Sequence, residues 1–122
     1  MWRLGGKANQ FTFIDPDGPF SFQHDIRRLP SGDLTIFDNH NLPGGCSRAV
    51  EYEIDEVNKV VTNTWQYRNT PDISAIATGN NQRLPDGHRL IDWGFGHPNV
   101  TEVLTDGTKL FEMNLDASFI TY

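Results

Sequence analysis

The sequence predicts an all-β fold of the β-propeller type, with two four-stranded antiparallel blades and partial strands at both ends. The first observation is a repeated phrase, because Arg28–Gly32 (Arg-Leu-Pro-Ser-Gly) returns as Arg83–Gly87 (Arg-Leu-Pro-Asp-Gly), 55 positions later (83 minus 28). The second is a Glu, Asp and Lys phrase at positions 51, 55 and 59 that recurs at positions 102, 106 and 109. The third is the dominance of strand signals over any 3.6-residue helical period. Repeats of roughly 40–50 residues rich in short strands are typical of propeller blades.

The first predicted blade covers residues 20–67. Its clearest strand contains Val50, Tyr52 and Ile54, which alternate with charged residues as in a strand with one buried face. The segment 39–47 consists almost entirely of turn-forming residues and is expected to be a loop. The strands of this blade are predicted at residues 20–29, 34–37, 48–54 and 59–67.

The second predicted blade covers residues 74–115 and repeats the same plan. The remaining segments, 1–19 and 116–122, are expected to be partial strands of adjoining blades. Trp2–Leu4 resembles the end of an outer strand, and residues 118–122 resemble the start of an inner one. The strands of the second blade are predicted at residues 75–84, 89–93, 99–104 and 109–115.

Charge and composition narrow the classes of partner and cofactor. The net charge of −6 disfavours nucleic acid as a partner, because its phosphates require a basic surface, and it also disfavours binding to an anionic membrane.

No apolar run approaches the roughly 18–20 residues of a membrane span, and the N-terminal residues lack the apolar region of a signal peptide. A cytoplasmic location is therefore expected for the chain as given. The single cysteine, Cys46, forms no intramolecular disulfide. Because His40, His88 and His97 lack metal-ligand spacing, we expect no metal and no cofactor.

Several phrases resemble the arylsulfotransferase (aryl-sulfate sulfotransferase) propeller family, and they occur in that family's order over most of the chain. The resemblance implies a six-bladed propeller that moves a sulfuryl group from one phenol to another through a histidine. It also implies that related proteins are often exported. The matching phrases are Trp2–Gly6, Phe22–Arg27, Leu34–Asn39, Ser47–Tyr52, Gly79–Gly87 and Trp93-Gly94.

Four residues are candidates for the site. The resemblance places the group-carrying histidine at His24, and a neutral imidazole is a good nucleophile for a sulfuryl centre. Arg48 is a candidate ligand for the sulfate oxygens. Asn39 and Trp93 end the second strands of the two blades and are candidates for substrate binding. The alternatives are a hydrogen bond from His24 to a neighbouring blade, loop capping by Asn39 and packing of Trp93 between blades.

Two blades are a third of a six-bladed ring, so the predicted partner is the chain itself. Three copies would supply six blades, which favours a cyclic trimer closed by exchange of terminal strands. A compact monomer and a domain-swapped dimer are the competing structures. In the ring, a small aryl sulfate or a phenol is the expected ligand. The alternative function is a non-catalytic binding or scaffold module that assembles through its blade edges, or a fragment with no activity of its own, so whether the chain is an enzyme is left open.

Overall fold

A computed structural model describes residues 1–116 and residue 121, and this part of the chain is all-β, as predicted. The predicted partial strand at 116–122 lies, apart from Asp116 and Thr121, outside the described residues. None of the described residues belongs to a helix that could span a membrane. The strands are β1 (Thr12–Ile14), β2 (His24–Arg28), β3 (Leu34–Asp38), β4 (Arg48–Asp55), β5 (Val60–Tyr67), β6 (Asn80–Arg83), β7 (Arg89–Asp92), β8 (Val100–Val103) and β9 (Lys109–Met113).

The strands form two propeller-like sheets. The first has the order β1-β5-β4-β3-β2, in which β2 to β5 are an antiparallel meander. The second has the order β6-β7-β8-β9 and is antiparallel throughout. The all-β, propeller-like fold class is therefore confirmed.

The first sheet has a fifth strand that the sequence pattern did not reveal. Strand β1 joins the outer edge of β5 in parallel, and the Thr12 N–H donates to the Lys59 carbonyl at 2.8 Å. Phe13 packs against the core cluster that contains Phe20 and Tyr52. Apolar side chains of the N-terminal segment therefore cover one face of the first sheet. Whether this segment belongs to an adjoining blade stays a prediction.

The first strand of each antiparallel meander, β2 or β6, is shorter than predicted. Strand β2 begins at His24 instead of residue 20, because Phe20 turns into the first core and the Ser21 N–H donates to the Asp38 carboxylate at 2.9 Å. Strand β6 begins at Asn80 instead of residue 75. The residues before it bond to the first sheet, where the Ser47 N–H donates to the Ile73 carbonyl at 2.7 Å.

A second core cluster joins the two sheets face to face. Phe37 of the first sheet meets Trp93 of the second in an edge-to-face contact, with ring centroids 5.8 Å apart. Strand β6 lies against β2, β3 and β4. This packing brings the connection between the sheets close to the end of β3, where the candidate site lies. The members of the second cluster are Phe37, Ala49, Ile73, Ala75, Ile91, Trp93 and Val103.

Candidate functional site

His24 is the first residue of the edge strand β2, and its side chain is exposed. It pairs with Phe37 on β3, and the regular pairing breaks between His24 and Arg27. Its ring atom Nδ1 lies 2.7 Å from Oδ1 of Asn39. Among the described residues, no hydrogen bond reaches Nε2, and His24 as a whole is exposed.

Asn39 follows the end of β3 and is 1% exposed. Its Nδ2 amide donates to two backbone carbonyls of the connection between the sheets, to Ala75 at 2.8 Å and to Thr78 at 3.0 Å. The structure therefore brings His24 and Asn39 together. The sequence indicated both residues, His24 by the family resemblance and Asn39 by its place at the end of a strand, but it carried no signal that they are hydrogen-bond partners.

Asp25, the sequence neighbour of His24, is engaged elsewhere. Its carboxylate accepts hydrogen bonds from Nε of Arg27 at 2.9 and 3.0 Å and from the Asn81 N–H at 3.3 Å. The backbone of Asp25 is left-handed, with a φ of +50°, where the regular pairing of β2 breaks. The residue that fixes His24 is therefore distant in sequence and adjacent across the sheet.

Arg48 begins β4 with a fully buried side chain. All five of its N–H groups have an acceptor, so binding a sulfate would require it to release one of them. Its place in the site as a substrate ligand stays a prediction. The acceptors are Asp38 at 2.8 Å, both oxygens of Asp15 at 3.0 and 3.1 Å, Gln66 at 2.8 Å, the Gly18 carbonyl at 2.9 Å and the Tyr52 hydroxyl at 3.3 Å.

The environment of Asp15 shifts its acidity. Burial alone would raise the pKa of this carboxyl, but hydrogen bonds from Arg48 and Tyr52 outweigh burial and hold its pKa below the ordinary value of 3.8. Burial is also the main reason that the pKa of Tyr52 is raised, together with its hydrogen bond to Asp15 at 2.6 Å. This network links the loop after β1 to the base of β4.

Acid is expected to unfold the protein through this network. Because the pKa of Asp15 is lower in the folded chain than in the unfolded one, its stabilisation is complete above 3.8 and is lost as pH falls through the folded pKa. Urea unfolding from about pH 7 to about pH 2 measures the effect. Asp15→Asn should be less stable at neutral pH and less sensitive to acid. An acid dependence equal to that of the wild type would contradict this assignment.

Trp93 lies between the sheets and is fully buried. Its indole N–H donates to the Thr101 hydroxyl at 2.9 Å, and its ring packs against Phe37 and Tyr67. A role in substrate binding stays a prediction, and within the described chain the ring takes part in packing.

His40 is a second histidine at the same end of β3, and the sequence indicated for it only a lack of metal-ligand spacing. Its Nδ1 lies 3.2 Å from the Asp38 carboxylate, which also binds Arg48. The ion-paired cluster around Arg48 therefore includes Asp38, the residue directly before Asn39. The signal available in the sequence was the run Asp38-Asn39-His40 directly after a buried strand.

The chemistry of the site is that of one oriented imidazole. Over residues 1–116 and residue 121, no group of three or more His, Cys, Asp or Glu side chains could hold a metal ion, and the same residues enclose no pocket. The nearest arginine in sequence, Arg27, is paired with Asp25. The site can therefore offer a nucleophilic nitrogen, and an anionic substrate would need cations from elsewhere.

Comparison with known proteins assigns the chain to a family. No curated protein matches it. The sequence model described as arylsulfotransferase (ASST) matches residues 1–116, which is nearly the whole chain and includes both sheets and the His24–Asn39 pair. With this match and its propeller-like sheets, the chain belongs to the arylsulfotransferase family.

Proposed function

We propose that this chain supplies two blades of a sulfuryl-transferring propeller in which His24 carries the group from an aryl sulfate to a phenol. The observation that carries the proposal is the exposed imidazole of His24, held at Nδ1 by buried Asn39, within a chain of the arylsulfotransferase family. The test is transfer from an aryl sulfate to a phenol by the wild type and by His24→Ala.

The proposed reaction has two displacement steps. A ring nitrogen of His24 attacks the sulfur of the donor, an N–S bond forms, and the S–O bond to the donor breaks as the phenolate leaves. The acceptor oxygen then attacks the same sulfur, the N–S bond breaks and the acceptor's proton passes to solvent. A covalent intermediate of this kind replaces one difficult step by two easier ones.

The second sheet offers a comparison within the chain. The two Arg-Leu-Pro phrases are 55 residues apart. With the same offset, Gly79 corresponds to His24 and Gly94 corresponds to Asn39. Gly79 has a φ of +104°, and a Cβ at this position would collide with the Phe37 ring. The second sheet therefore has no room for a histidine at this position. The pair in the first sheet is thus not a requirement of the blade, which supports a role in chemistry.

The groups that would hold the sulfate oxygens are proposed to come from other blades. All N–H groups of Arg48 are hydrogen-bonded, and Arg27 is paired with Asp25.

Strand β9 forms the outer edge of the second sheet, where Leu110 and Phe111 are about half exposed. Free sheet edges favour pairing with another chain. We therefore propose that copies of the chain close a ring around the His24 sites.

The solution mass tests the ring. Three copies with two blades each would make six, so light scattering on a size-exclusion column is expected to give the mass of a trimer. Leu110→Lys, on the exposed edge, should lower the mass, whereas Val57→Lys, an exposed apolar residue in the β4–β5 turn, should leave it unchanged. A monomer or a dimer at all concentrations would contradict the ring and would favour a fragment with no activity of its own.

A further inference from the structure

We infer that Asn39 is a positioning residue that holds His24 in its Nδ1–H tautomer and so makes Nε2 the nitrogen that attacks sulfur. The role in catalysis rests on the proposed function of His24 as the sulfuryl carrier. The tautomer itself rests only on the hydrogen bonds around Asn39.

The two carbonyl bonds fix the orientation of the Asn39 amide. A side-chain amide has two N–H donors and one oxygen acceptor. Backbone carbonyls only accept, so the atom between Ala75 O and Thr78 O must be the nitrogen, at 2.8 and 3.0 Å. A rotated amide would place its oxygen against these two carbonyl oxygens. The oxygen of Asn39 therefore faces His24.

The orientation of Asn39 in turn determines the proton on His24. Oδ1 can only accept a hydrogen bond, so the 2.7 Å contact requires a proton on Nδ1. A neutral imidazole carries a single N–H, which leaves the lone pair on Nε2. Nε2 belongs to an exposed residue and has no hydrogen-bond partner among the described residues. The buried amide thus leaves Nε2 as the nitrogen with a free lone pair.

The connection between the sheets also has hydrogen bonds that do not involve the Asn39 side chain. The Ala75 N–H donates to the Ser47 hydroxyl at 2.8 Å, and that hydroxyl donates to the Asn39 carbonyl at 3.0 Å. Asn41 also donates from its side chain to this connection, to the Ile76 carbonyl at 2.6 Å, but it has no bond to His24. Asn41 is therefore a matched control for anchoring without positioning.

Nitrogen-15 NMR of the imidazole rings in the full chain tests the tautomer directly. We expect the one- and multiple-bond ¹⁵N–¹H correlations of the His24 ring, assigned by their absence in His24→Ala, to report Nδ1–H at a pH where the ring is neutral. Asn39→Ala is expected to give a mixture of tautomers, and Asn41→Ala should keep the wild-type pattern. A wild-type ring with the proton on Nε2 would overturn the inference without the need for any variant.

Kinetics test the catalytic consequence. At metal sites, loss of the partner that orients a histidine typically lowers activity about 10- to 100-fold, and the same range is expected for the orientation of His24. We expect Asn39→Ala to lower kcat by this factor with little change in KM, whereas a substrate ligand would raise KM. An Asn39→Ala variant that remains folded and keeps its full kcat would overturn the positioning role. If the Nδ1–H tautomer is found but His24→Ala leaves transfer unchanged, the proposed function fails and the tautomer assignment stands.

Discussion

Replacing Arg48 by methionine is expected to lower the free energy of unfolding by about 3–5 kcal/mol, the usual effect of breaking a buried ion pair from one side. The Arg48 guanidinium and its partners Asp15 and Asp38 all have fully buried side chains. Methionine fills much of the same volume but leaves two carboxylates without their cation. A domain of this size is stable by about 5–15 kcal/mol, so the loss is a large fraction of the total stability. Urea unfolding followed by tryptophan fluorescence measures the loss.

Two further variants distinguish the loss of stability caused by breaking the buried network from a general effect of losing an arginine. Arg28→Met breaks an exposed pair with Glu56 and should change stability little. Adding Asp15→Asn to Arg48→Met should recover part of the loss, because one of the two buried carboxylates becomes neutral. If Arg48→Met unfolds at the same urea concentration as Arg28→Met, the network does not stabilise the fold as described.

The second large effect is expected for His24→Ala, which should lower sulfuryl transfer at least about 10³-fold because the covalent intermediate can no longer form. The side chain is exposed on an edge strand, so the variant should unfold at the same urea concentration as the wild type. The measurement is the rate of sulfuryl transfer from an aryl sulfate to a phenol, with variants of equal solution mass compared.

His97→Ala is the matched control for this loss. His97 is an exposed histidine of the second blade, and its substitution should leave transfer unchanged. Unaltered transfer in His24→Ala, or an equal loss in His97→Ala, would contradict the role of His24.

Local patterns in the sequence predicted most of the strands. The alternation of Val50, Tyr52 and Ile54 placed β4, and the two Arg-Leu-Pro phrases placed the turns that end β2 and β6. The addition of β1 to β5 escaped prediction because three residues carry almost no periodic signal, and a parallel neighbour is chosen by packing rather than by a turn. The shorter β6 has a similar cause, since residues 73–78 bond to the other sheet.

The candidate site was predictable only in part. The family resemblance identified His24, and its place at the end of a strand identified Asn39. Their contact nevertheless joins positions 15 apart, and the carbonyls that orient Asn39 lie 36 and 39 positions further along the chain. Arg48 has the chemistry of a sulfate ligand in the sequence. Its main anion, Asp15, comes from a segment 33 positions earlier that sequence alone does not bring near.

Trp93 illustrates the same limit for aromatic residues. An indole at the end of a strand and next to a glycine can stack on a ligand or pack between sheets, and both uses have the same local sequence. The difference lies in the facing Phe37 of the other sheet and in the Thr101 hydroxyl that accepts the indole N–H. These neighbours are assembled by the meander and by face-to-face packing of the sheets.

The most direct test of the central claim is to look for the covalent intermediate on His24. The full chain is incubated with an aryl sulfate in the absence of a phenol acceptor, digested under conditions that preserve an N-sulfonated imidazole, and analysed by mass spectrometry. We expect one added SO₃ group on the peptide that contains His24, lost again when a phenol is supplied and absent in His24→Ala. An unmodified His24 under turnover, or the SO₃ group on another residue, would contradict the proposal that His24 carries the sulfuryl group.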